Sequence, residues 1–198
     1  MADKLQELAN KCKAISDNMH NDEARYMWRN LRLVPEAAAD MMAMPMEGET
    51  SAKNQIEVLS LMIDCVDELS IPRHILELRR YQLSLFDHLQ EGEVPEEVTR
   101  EGVAGEIQRL EDYIDMTIPM EEWCKRYHKH LHFDPIERTP EWEECIYEVE
   151  KEAHRRLGDM PRGMGFCFAY WAELRDVLRE RGIEWRSPHI MNPHVLFD

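Results

Sequence analysis

Residues 124–135 read CKRYHKHLHFDP and hold one cysteine and three histidines within nine positions. Thiolate and imidazole are donors that zinc accepts. On a helix, Cys124, His128 and His132 fall at i, i+4 and i+8 and share a face, with His130 pointing elsewhere. Asp134, or Glu150 with its helical neighbour His154, would complete such a shell. A plainer reading uses the same residues. Met120, Trp123, Tyr127 and Leu131 make an inward stripe, Cys124 packs in the core, and the histidines end the helix, where imidazolium is favoured. Asp134-Pro135 forces an early helix end, and neither HExxH nor a paired CxxC occurs. The sequence favours the plainer reading. It keeps a zinc-type site on Cys124, His128 and His132 as the alternative and implies no other cofactor.

Three further stretches carry chemistry. PRGMGF (161–166) sets Arg162, Gly163 and Gly165 at a helix start, where backbone N–H groups and a cation attract anions. It lacks the GK[ST] of a phosphate loop and no strand precedes it, so close helix packing explains the glycines as well. GMGFCFAYW (163–171) is the most aromatic stretch. Helical spacing turns Met164, Phe168 and Trp171 to the core and Phe166 and Tyr170 to a second side. That side is covered by the chain's own tail or by a partner. Phe166, Tyr170, Trp171 and Trp185 are therefore the candidate partner-binding residues. AADMMAMPM (38–46) concentrates Met41, Met42, Met44 and Met46, which fill gaps in cores more often than they bind copper or partners. No GxSxG and no pair of Glu-x-x-His motifs is present, so nucleophilic and di-iron chemistry lack support.

Composition narrows the partners. Forty acidic against 24 basic residues give a net charge of −16 and a pI of about 5.0. Such a surface repels phosphate backbones and anionic membranes, so direct nucleic-acid and membrane binding are disfavoured. Acidic residues crowd positions 91–122, with Arg100 and Arg109 as the only counter-charges there. A solvated helix face is the ordinary reading. A dock for a basic protein, or mimicry of DNA that inhibits a nucleic-acid-binding protein, is the sharper one. The five cysteines are odd in number and scattered, which fits a reducing, cytoplasmic setting. The N-terminal MADKLQELANKCK lacks a signal peptide's apolar region, and no 18 consecutive apolar residues occur.

The elements that must position these residues read as helices throughout. Apolar periodicity and breakers predict helices over 3–19, 22–33 (capped by Asn21 or Asp22 and ended by Pro35), 37–44, 51–69, 72–90, 95–116, 119–130, 140–157 and 163–181. Tyr26, Met27 and Leu31 should face inward, and the polar helix over 95–116 should lie outside. Residues 41–51 read as a Met-rich mobile linker, and 182–198, broken by Pro188 and Pro193, as an extended, non-helical C-terminal strap on the bundle. The expected architecture is a single all-α domain over 1–198, an irregular bundle of about seven or eight helices. The expected function is non-catalytic docking of a basic protein partner through aromatic anchors and an acidic surface. A metal-binding protein or metal-dependent enzyme is the rival, a structural subunit of an assembly is a third reading, and an oligomer is compatible with all of them.

Overall fold

A computed structural model describes residues 2–20 and 26–197. Every regular element among them is helical: nine α-helices and four short 3-10 helices. The chain divides into two compact units, residues 1–111 and 112–198. The Asn21 or Asp22 cap lies outside the described residues. Among the described residues no helix is long and apolar enough to cross a membrane.

The first unit holds α1 (Ala2–His20), α2 (Asn30–Met42), α3 (Ala52–Ile63), α4 (Pro72–Leu85) and most of α5 (Arg100–Ile114). Helix α2 departs most from expectation, because Pro35 lies inside it. Leu31, Val34, Ala37, Ala38 and Met41 form a buried stripe that runs straight past the proline. Losing one backbone hydrogen bond to Pro costs about 3 kcal/mol. Burying each large side chain of the stripe returns about 1.5–3 kcal/mol, so the helix continues. Tyr26, expected inward, is exposed instead. Buried Asn30 ties the unit together: its amide donates to the carbonyls of Ile15 and Cys65 and accepts from Asn18. Of the methionines at 41–46 only Met41 is buried; Met42 and Met46 are exposed.

Helix α3 stops at Ile63, six residues early. The cause is Asp67, whose carboxylate accepts from the Leu69 N–H and the Ser70 hydroxyl and holds a turn. Val66 stays buried, so the stripe outlasts the helix. Helix α4 opens with Pro72 as expected. Helix α5 starts at Arg100 rather than Pro95, because Thr99 accepts from the Gly102 N–H. It is also less peripheral than its polarity suggests, with Val103, Leu110 and Tyr113 buried.

The second unit holds α6 (Met120–Arg126), α7 (Pro140–Leu157), α8 (Phe166–Glu180) and α9 (Pro188–Met191). Helix α7 has the bounds its caps specify: Thr139 accepts from the Trp142 N–H, Pro140 follows, and Gly158 closes it at φ 54. It packs on α8, with Trp142, Ile146, Val149 and Ala153 buried on one and Leu174, Val177 and Leu178 on the other. Gly182 ends α8 at φ 78, and the Ile183 N–H closes back on the Leu178 carbonyl. The tail is not wholly irregular, since Pro188 at a first-turn position opens the short α9. Arg138, 2 % exposed, gathers the carbonyls of Asp112, Tyr113, Asp115 and Ile118. These are the orphan acceptors at and just beyond the C-terminus of α5, where a cation is favoured.

Candidate functional site

The 124–135 segment does not make the helical face a three-ligand site needs. Helix α6 ends at Arg126, and His128 lies in the left-handed region at φ 52. The Lys129 N–H then closes on the Cys124 carbonyl at 2.8 Å, the helix-stopping arrangement usually built on glycine. Cys124 is buried, burial pushes its thiol above the ordinary range, and its Sγ–H donates to the Leu131 carbonyl at 3.3 Å. His128 and His130 are exposed. The residues invoked to complete a shell are engaged elsewhere. Asp134 accepts from the backbone and guanidinium of Arg186 at 2.9 and 2.8 Å, and Glu150 accepts from the Tyr170 hydroxyl. Among the described residues no group of three or more His, Cys, Asp or Glu side chains is placed to hold a metal ion.

The segment instead forms a ledge for the tail. The Asn192 amide accepts from the His132 N–H at 2.8 Å and donates to its carbonyl at 2.9 Å. Asp134 pairs with Arg186, and the Glu137 carboxylate accepts from the Trp185 indole at 2.7 Å. Trp185 is 6 % exposed, its ring 6.0 Å from that of Trp142. Trp185 is thereby a packing residue inside its unit.

The other aromatic candidates separate into two groups. Phe166 and Tyr170 stack at 6.3 Å on the side facing α7, where Tyr170 also lies 5.5 Å from the His154 ring. Arg162 joins that group: its guanidinium sits 4.9 Å over Phe166 and its Nη2 lies 3.1 Å from His154 Nδ1. The expected anion-binding cation is therefore turned toward α7. Gly163 accepts from the Phe166 N–H, and Gly165, at φ 83, is the residue before α8. That φ is open to glycine at no steric cost, which accounts for its presence there.

Trp171 belongs to the second group. Phe168 and Trp171 meet edge-to-face at 5.6 Å, Phe168 meets His189 at 5.3 Å, and Trp171 meets Phe197 at 5.1 Å. Met164 and Phe168, expected in the core, are 94 % and 43 % exposed. Ile190 and Leu196, next in sequence to His189 and Phe197, are exposed as well. The 3.6-residue period was ambiguous here because apolar residues cover α8 on two sides; Leu174, Val177 and Leu178 take the inward one.

A cleft of about 640 Å³ in the first unit was visible to the sequence only in part, through the acidic run. Asp64, Asp67, Glu68, Glu97 and Glu106 line it, with one cation, Arg79. A second hollow of about 360 Å³ shares Asp64 and Glu97 and adds Glu57 and Glu96. Glu57 accepts from the Glu96 N–H at 2.9 Å and fixes the turn in which Glu97 takes φ 58. Compared with known protein families, curated proteins and solved structures, the chain matches none.

Proposed function

We propose that this chain is a non-catalytic docking protein whose partner is a basic protein. The observation that carries the reading is the half-exposed aromatic cluster of Phe168, Trp171, His189 and Phe197, flanked in sequence by exposed Met164, Ile190 and Leu196. Large rings held edge-to-face are rigid, so anchoring them against a partner costs little side-chain entropy. The net charge of −16 supplies long-range attraction for a basic surface and discourages nucleic acid. Among the candidates named from sequence, Trp171 keeps the anchoring role, Phe168 joins it, and Trp185 serves packing.

A photo-crosslinking residue at Leu196, in cells that make this protein, tests the proposal. One discrete basic protein should be captured, and capture should be lost in Phe168→Ala/Trp171→Ala while that variant still melts cooperatively. Capture of a second copy of this chain, or of many proteins regardless of the substitutions, would overturn it.

A further inference from the structure

The cleft of the first unit contains an imbalance that its own residues do not resolve. Arg79, on α4, is 7 % exposed. Its Nη1 donates to Gln82 Oε1 at 2.9 Å, its Nε has no acceptor, and among the described residues it has no ion pair. Burial pulls its pKa below the ordinary guanidinium range, and Glu68, Glu106 and Asp64 push it only partly back. A buried cation with no directly bonded counter-charge is costly unless something pairs with it.

The carboxylates around it are not equivalent. Glu68 and Glu106 are both taken by Arg109. Asp67 holds the turn after α3. Asp64 and Glu97 are exposed, their carboxylates make no hydrogen bond or ion pair among the described residues, and they are the two carboxylates common to both hollows; Asp64 acts on Arg79 only through its field. An anion alone would meet five carboxylates. A simple polyamine would satisfy Asp64 and Glu97 but leave Arg79 unpaired and repelled. A ligand with one carboxylate and an excess of amines satisfies both.

We propose that this cleft binds a small basic zwitterion of the lysine or ornithine class, its carboxylate on Arg79 and its ammonium groups at Asp64 and Glu97. The volume, about 640 Å³, lies in the usual range for small-molecule sites and leaves room for bridging waters. Glu97 accepts an unfavourable backbone angle at this wall, as residues of binding sites do more often than others. The proposal does not rest on the protein-docking reading, which concerns other residues.

Calorimetric titration of the full chain with L-lysine, and in parallel with cadaverine, decides it. Cadaverine carries the same two amines without the carboxylate. L-lysine should bind one to one, cadaverine about tenfold or more weakly, and Asp64→Asn/Glu97→Gln should weaken lysine by a similar factor, as expected for losing a charged hydrogen bond. Arg79→Gln should abolish the preference for lysine over cadaverine. If that variant fails to fold, the comparison of the two ligands on the wild-type chain still tests the role given to Arg79. No lysine binding, equal binding of lysine and cadaverine, or lysine binding indifferent to the Asp64 and Glu97 substitutions would each overturn the proposal.

Discussion

His128 shows how one residue decides what a chemically suggestive stretch becomes. Its φ of 52 is the conformation glycine usually supplies at a helix end, and the Lys129 N–H bonded to the Cys124 carbonyl depends on it. A residue with a Cβ pays about 1 kcal/mol or more to stay there. His128→Gly should therefore raise stability by about 0.5–1 kcal/mol, with a rise of roughly 2–4 °C per kcal/mol for a chain of this size. Thermal melts at neutral pH measure it. A lower melting temperature would mean that the imbalance lies the other way and that the imidazole itself stabilises the fold. Trp185 makes the matching point about aromatic residues. Its sequence neighbourhood suggests an exposed anchor, yet one indole hydrogen bond to Glu137 and one tilted ring contact, with Trp142, turn it inward. Side-chain partners 43 and 48 positions away are not written in local periodicity.

Elements were legible where caps and stripe agree and misread where they compete. In α7, Thr139, Pro140, the first-turn acids Glu141 and Glu143, and Gly158 all point to the same bounds, and the helix has them. In α2 the breaker and the stripe disagree, and the stripe prevails because its burial outweighs one missing hydrogen bond. Pro35→Ala restores that bond and should stabilise by about 1–2 kcal/mol, since the roughly 3 kcal/mol interior cost is partly offset by the freer unfolded chain. A denaturant midpoint that falls instead would show that the ring's packing matters more than the backbone. The acidic run at 91–122 was readable as composition, but its cleft was not. The cleft needs Asp64 and Arg79, which reach it only through the turn after α3 and the packing of α4. Helix α7 also carries a pH response. Hydrogen bonds from Arg155 and then Arg156 hold the Glu152 carboxyl down at about 2, against an ordinary 4.5. A depressed pKa contributes stability above the unfolded value and loses it as pH falls through the folded one. The stability gap between wild type and Glu152→Gln should therefore close as pH drops from 4.5 toward 2. A gap that is constant over that range would mean the carboxylate's charge contributes nothing.

Charge is the property of the whole molecule with the broadest consequence, and two of its effects oppose each other. Among the described residues several ion pairs are helical pairs at the surface, such as Arg32–Glu36 and Arg155–Glu152, each worth about 0–1 kcal/mol and weakened by salt. Against them stands an excess of sixteen negative charges. At about 20 Å in water two like charges repel by roughly 0.2 kcal/mol, and sixteen of them make roughly 120 pairs. The unfolded chain spreads the same charges over a larger volume, so repulsion opposes the folded state. Many weak repulsions should outweigh a few weak pairs. Raising NaCl from about 20 to 300 mM, which shortens the screening length from roughly 20 Å to under 10 Å, should then raise the melting temperature. The same salt should weaken capture of a basic partner and of L-lysine, because both use the excess charge that salt conceals. One salt series with calorimetric melts and titrations measures both responses. Opposite signs are expected. A melting temperature that falls with salt would place the ion pairs, not the excess charge, in control of folding. A partner or lysine affinity that stays constant would remove electrostatic attraction from the binding account altogether.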